Sequence, residues 1–182
     1  MSSKKKDNFY LGYISKIHNV LNSIELNKIE KLEKLVDKSR KNKILIFGNG
    51  AGASISSHFA NDLSNTAKIK TLSFDNSAHL TCFANDYGYE NWVKKTIEIF
   101  SEKNDLIILL SASGKSKNMI NAAKHCKINN INFFSITGFV KDNLLNKVSK
   151  NFIWIDSKSY NQVELSQLFV LLSVIDKINL KR

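Results

Sequence analysis

The 182-residue sequence contains no proline, two cysteines, seven glycines and four histidines. Without proline there is no proline-rich linker, and no other low-complexity segment or internal repeat interrupts the chain. That absence has no structural reason visible in the sequence. Cys82 and Cys126 sit in apolar or helical surroundings without metal-ligand spacing, so neither a disulfide framework nor a cysteine metal site organises the fold. Both read as reduced thiols of a cytoplasmic protein. Acidic residues are scarce: 16 Asp and Glu stand against 27 Lys and Arg, a formal charge of +11. Such a balance suits nucleic acid, a membrane surface or an anionic metabolite. Apart from Lys4-Lys5-Lys6 the lysines are scattered, so they read as solvated surface and no nucleic-acid partner is expected. Long apolar runs are missing too. No stretch reaches about 18 apolar residues and residues 2–8 are polar, so neither a membrane span nor a secretory leader is expected.

What is present is one domain's worth of alternating pattern. Hydrophobic residues make up 43%, ordinary for a globular chain with a substantial core. Residues 1–8 read as a disordered basic tail and 9–182 as a single domain. Phe9, Tyr10, Tyr13, Ile14, Ile17, Val20 and Leu21 recur at helical spacing, as do Ile24, Leu26, Ile29, Leu32, Leu35 and Val36. This predicts two helices, or one broken near 22–27. Their aromatic face packs either on the domain's own core or against another subunit. Strands follow at 44–47, 69–74, 106–110, 132–136 and 152–155, with helices over 52–65, 90–101, 116–128, 142–148 and 160–178. That order predicts right-handed βαβ crossovers and an α/β fold, a five-stranded parallel sheet between helices.

Two strand-to-helix turns carry the chemistry. After the apolar run Ile44 to Phe47 come Gly48, Asn49, Gly50 and Gly52 among small residues including Ser54. A glycine turn opening a helix points free N–H groups and the helix dipole at an anion; the alternative is a tight βα connection with no ligand. After Leu106 to Leu110 comes Ser111-Ala112-Ser113-Gly114-Lys115-Ser116. Hydroxyls and backbone N–H groups there suit phosphate oxygens, although the P-loop spacing is absent. The alternative is a polar helix cap, serine being a common one. Ligands of parallel sheets bind outside the carboxyl ends of the strands, where both turns lie.

Gly48-Asn49-Gly50, His58-Phe59-Ala60, Asn85-Asp86-Tyr87-Gly88-Tyr89 and Ser111-x-Ser113-Gly114-x-Ser116 occur in this order. Together they resemble the sugar isomerase (SIS) domain, and within it the sedoheptulose 7-phosphate (phosphoheptose) isomerases, from about residue 10 to 178. The resemblance implies a three-layer sandwich, a homotetramer with sites at subunit interfaces, and a sugar phosphate held by Asn49, Gly50, Gly52, Ser54, Asp86, Ser111, Ser113, Ser116 and Gln167. It implies His58 as a metal ligand, with Asp62 at the position of a glutamate that is base and ligand, and zinc as the candidate metal. His58 and Asp62, four apart, share a helix face; they read otherwise as a packed histidine and a surface carboxylate. Asp86 reads otherwise as an Asx turn in a loop.

The sequence also departs from the family. Gly52 replaces a usual serine, Ala112 a usual threonine, and the last helix has no histidine. There Glu164 and Gln167, three apart, could face one site; Glu164 reads otherwise as a core-edge residue beside Tyr160. His79 is a candidate to replace the lost histidine, while His18 and His125 read as ordinary helix residues. The catalytic candidates are thus Asp62, Glu164 and His58. Three readings follow. The first is a cytoplasmic aldose–ketose isomerase making surface-polysaccharide precursors. The second is a sugar-phosphate sensor without catalysis, and the third a SIS tetramer that binds another protein, like the relative that assists replication initiation.

Overall fold

The computed structural model describes residues 8–181; the tail expected over 1–8 lies outside them except for Asn8. Asn8 caps the first helix, its Oδ1 accepting from the backbone N–H of Tyr10 and Leu11. Helices α1 (Phe9–Asn22) and α2 (Leu26–Lys38) lead, broken where the sequence reading placed the break. The core elements follow as β1 (Ile44–Phe47), α3 (Ala51–Thr66), β2 (Thr71–Ser73), α4 (Ser77–Tyr87) and α5 (Trp92–Phe100). They continue with β3 (Leu106–Ser111), α6 (Lys117–Ile128), β4 (Asn132–Thr137), α7 (Leu144–Val148), β5 (Phe152–Trp154) and α8 (Tyr160–Asn179). The sheet is parallel throughout, in the order β2-β1-β3-β4-β5.

Alternation along the strands explains the three layers. Ile44 and Ile46 of β1, Leu106, Ile108 and Leu110 of β3, and Phe134 and Ile136 of β4 join the apolar faces of α2, α3 and α8. The intervening Leu45, Phe47, Ile107, Leu109 and Phe133 join α5 and α6 on the other side. Every residue of β1 and β3 is buried, which is why these strands read as continuous apolar runs. In α1, Val20 is buried, whereas Phe9, Tyr10, Leu11 and Ile14 stay exposed. The aromatic end of this helix therefore does not pack on the domain's own core.

One helix was unforeseen. Residues 85–88, expected as a loop, are the last turn and cap of α4: Asn85, Asp86 and Tyr87 are helical, and Gly88 closes the helix at φ 80°. The start is fixed by Asn76, whose Oδ1 accepts from Ala78 and His79 N–H. No residue of α4 is fully buried; Leu80 and Phe83 pack half-buried against the core, a short stripe that runs into the polar Asn85 and Asp86 and so reads weakly by periodicity.

The close approach of β1 and α3 is set by Gly48. A Cβ there would lie 2.3 Å from the backbone carbonyl carbon and oxygen of Gly52. Backbone cannot yield as a side chain can, so Gly48→Ala is expected to cost about 1–3 kcal/mol or more through overpacking. Thermal denaturation checks this, and an unchanged midpoint would contradict it. The thiols also separate cleanly. Cys126 is fully buried, and burial pushes its pKa up to about 12, while Cys82 is exposed. A thiolate-specific reagent near pH 8 should label Cys82 alone in the native protein and both cysteines after unfolding. Native labelling of Cys126 at the Cys82 rate would contradict the packing.

Candidate active site

Strand order locates the cleft. The chain leaves β1 toward β2 on one side and returns to β3 on the other, so a crevice opens between the carboxyl ends of β1 and β3, the topological switch point of such sheets. A cleft of about 150 Å³ lies there, lined by Asn49, Gly52, Leu110, Ser111, Ala112, Ser113, Ser116, Tyr160, Glu164 and Gln167. Three elements converge on it: the glycine turn before α3, the serine turn before α6, and the first turns of α8.

The glycine turn owes its path to Gly50, which caps α3 at φ 55°, a left-handed value that costs glycine little. No side chain caps α3, so its N-terminus faces outward with its dipole available to an anion. The serine turn is similar. Gly114 takes φ 64°, and a Cβ there would fall 2.1 Å from Asn143 Cγ. Ser116 stands at the N-cap position of α6 yet makes no cap hydrogen bond. Its hydroxyl instead meets Ser111 Oγ at 3.0 Å. The cap alternative therefore fails for Ser116, and two hydroxyls sit together at the cleft with an uncapped helix end. Ser113 Oγ accepts from Lys115 N–H at 3.3 Å, leaving its own O–H to donate.

From α8, Glu164 is the one carboxylate among the lining residues, one turn after Tyr160. Tyr160 is half exposed and its ring lies 4.8 Å from that of Phe139. Gln167 is buried and donates from Nε2 to the Ile136 carbonyl at 2.9 Å. It thus ties α8 to β4 as well as lining the cleft.

Of the residues singled out in the sequence, the cleft brings together Asn49, Gly52, Ser111, Ser113, Ser116, Glu164 and Gln167. Gly50, Ser54, His58, Asp62 and Asp86 do not line it within one chain. The reason is helical phase. On α3 the inward residues are Gly52, Ile55, Ser56, Phe59, Ala60 and Leu63, which turns Ser54, His58 and Asp62 away. His58 and Asp62 do share a face, with Nε2 and Oδ2 3.5 Å apart and side chains 52% and 42% exposed. Asp86 lies at the exposed end of α4, accepting from Asn85 Nδ2 at 2.9 Å.

A catalytic zinc takes three protein ligands, and among the described residues no group of three His, Cys, Asp or Glu side chains is placed to hold a metal ion. The His58–Asp62 pair supplies two donors, so one chain does not fit the metal. His79 is also not a substitute for the missing histidine. Its ring stacks on Phe83 at 4.1 Å, lies near Phe74 and Phe100, and meets Thr96 Oγ1 at 2.9 Å. Burial lowers its pKa, as for a neutral packing histidine.

Asn118 and Tyr89, which were assigned no role from sequence, hold the cleft residue Asn49 from behind. Asn118, 1% exposed, exchanges hydrogen bonds with Asn49 at 3.1 and 2.9 Å, and the Tyr89 hydroxyl donates to Asn49 Oδ1 at 3.2 Å. A polar residue in the first turn of a helix that follows a ligand turn is the signal that could have found Asn118.

The SIS domain model matches residues 10–138. A phosphoheptose isomerase of Helicobacter pylori is 34% identical over 137 residues, 71% of each chain. Among solved structures, the phosphoheptose isomerase GmhA of Neisseria gonorrhoeae superposes with a TM-score of 0.84 at 19% identity, covering 93% of this chain and 97% of that one. A phosphoheptose isomerase from Francisella tularensis gives 0.82 at 21% identity, covering 99% of this chain and 100% of the other. At those identities the two structures speak for the fold; with the domain match and the H. pylori relative, they show that this chain belongs to the SIS domain family, among the phosphoheptose isomerases.

Proposed function

We propose that this protein interconverts a ketose phosphate and the matching aldose phosphate, with sedoheptulose 7-phosphate as the substrate its relatives' name suggests. The observation that carries the reading is the placing of a single carboxylate, Glu164, opposite a hydroxyl-lined anion site. The phosphate sits at Ser111, Ser113 and Ser116, whose O–H groups and the N-terminus of α6 donate to its oxygens. Glu164 then takes the proton from C1 of the open-chain ketose, and the electron pair of that C–H bond becomes the C1–C2 double bond of an enediol. Return of the proton to C2, with the oxygen-bound proton redistributed from O1 to O2, gives the aldose. An amide such as Gln167 does not titrate, so it can orient the sugar but not move the proton.

The cleft of about 150 Å³ is smaller than the roughly 300–1,000 Å³ of most ligand pockets. One chain therefore encloses part of the ligand. A homo-oligomer, a tetramer on the family pattern, is proposed to close it. Exposed Phe9, Tyr10, Leu11 and Ile14 of α1 and Leu165 and Phe169 of α8 offer the apolar surface for a second copy. In that arrangement His58 and Asp62 reach the substrate only when another subunit covers their face, and any zinc would need a ligand from there. Among the described residues no helix is long and apolar enough to cross a membrane; the cytoplasmic biosynthetic role is part of the proposal.

A second reading, binding without conversion, is favoured by the absence of a histidine from α8. Product assay decides between them. Incubation with sedoheptulose 7-phosphate and shorter ketose phosphates, with zinc or with a chelator, should yield the aldose phosphate. Binding of these ligands with no aldose formed under either condition would favour the sensor.

A further inference from the structure

We infer that Asn118 is a positioning residue: with Tyr89 it locks the Asn49 side chain so that Asn49 meets the ligand as a hydrogen-bond donor only. This rests on the reading of the cleft as a sugar-phosphate site and assigns the polarity of one of its walls.

The amide orientations follow from a backbone group that can only donate. Met119 N–H points at one end of the Asn118 amide at 3.1 Å, so that end is the oxygen. The same oxygen accepts from Asn49 Nδ2 at 3.1 Å. The other end of Asn118 is then Nδ2, which donates to Asn49 Oδ1 at 2.9 Å. Asn49 Oδ1 also accepts from the Tyr89 hydroxyl at 3.2 Å. An amide oxygen has two lone pairs, and both are taken. Asn49 Nδ2 keeps one N–H beyond the one given to Asn118. Asn49 lines the cleft, so what it has left for a ligand is that N–H. The ligand atom it meets must be an acceptor on the sugar: a carbonyl or enediolate oxygen, or a hydroxyl used through its lone pair.

Burial makes the lock stiff. Asn118 is 1% exposed at the start of α6, and turning its amide over would place its NH₂ against the Met119 N–H. The cost of such a buried mismatch keeps one orientation. Tyr89 reaches in from the segment after α4 and is 51% exposed, so it tunes the lock without carrying the fold.

Asn118→Asp tests this. The carboxylate keeps both bonds that Asn118 accepts, but sets a second oxygen against Asn49 Oδ1 and so displaces or turns Asn49. Calorimetric titration with sedoheptulose 7-phosphate and, separately, inorganic phosphate gives the readout. The expected result is about tenfold weaker sugar-phosphate binding, the size of one lost hydrogen bond, with inorganic phosphate affinity unchanged. In an Asn49→Ala background the same substitution should add nothing. Tyr89→Phe, which does not threaten the fold, should weaken sugar-phosphate binding about two- to tenfold, again only when Asn49 is present. Should Asn118→Asp not fold, Tyr89→Phe with and without Asn49 decides alone. Full additivity with Asn49→Ala, wild-type binding in a folded variant, or no sugar-phosphate binding by the wild type would overturn the inference. Binding is read without turnover, so a wild type that binds but never isomerises overturns the isomerase reading and leaves this test intact.

Discussion

Glu164→Gln is expected to lower kcat for ketose-phosphate isomerisation by about 10²–10⁴-fold, the usual cost of losing a general base. The glutamine keeps the shape and the polar contacts of the side chain but cannot accept the proton from carbon. Affinity for the sugar phosphate should change little, because the proposed phosphate site of Ser111, Ser113 and Ser116 lies on another turn. The split between kcat and binding is what identifies the base. If Glu164→Gln keeps full activity, the proton carrier lies elsewhere. Asp62 is then the next carboxylate to replace.

The second large effect belongs to the serine turn. Ser113→Ala together with Ser116→Ala removes two hydroxyls from the proposed phosphate site, at about 1.5–3 kcal/mol for each hydrogen bond to a charged group. Sugar-phosphate affinity should therefore fall by at least about tenfold per hydroxyl. The fold should not suffer, since both residues are only half-buried and neither caps a helix through its side chain. Removing Ser116 also strips Ser111 Oγ of its partner at 3.0 Å, so the double variant lets the Ser111 hydroxyl reorient as well. Titration curves superimposable on those of the wild type would place the phosphate somewhere else.

Most of the fold was legible because the strands announce themselves. Runs such as Leu106 to Leu110 are apolar without alternation, which fits a strand covered on both faces, and the sheet proved parallel. Helix α4 was illegible for the opposite reason. Its residues bury nothing completely, and its ends are set by Asn76 and Gly88, so Asn85 to Gly88 read as a loop when they are a helix end.

The site was legible as turns rather than as a surface. Both ligand turns lie at strand ends, so their nature could be read, and the pairing of β1 with β3 brings them together. Spacing correctly put His58 and Asp62 on one face. Which way that face points depends on the opposing stripe Ile55, Phe59 and Leu63, which packs into the core and turns the pair outward. The i,i+4 spacing of His58 and Asp62 fixes their common face but not its direction, which only the apolar stripe sets. The Asn49–Asn118 pair spans 69 positions, and a contact of that kind becomes visible only once the sheet order is known.

A proton carried between adjacent sugar carbons by Glu164 should leave a trace at C1 of the substrate. Proton NMR of sedoheptulose 7-phosphate in D₂O tests it most directly, because exchange at C1 reports the enediol even if the equilibrium hides the aldose. A C1 proton signal should be lost with the wild-type protein and lost at least about 10²-fold more slowly with Glu164→Gln. No exchange by the wild type at concentrations where the sugar phosphate is bound would contradict it, as would equal rates for the two proteins.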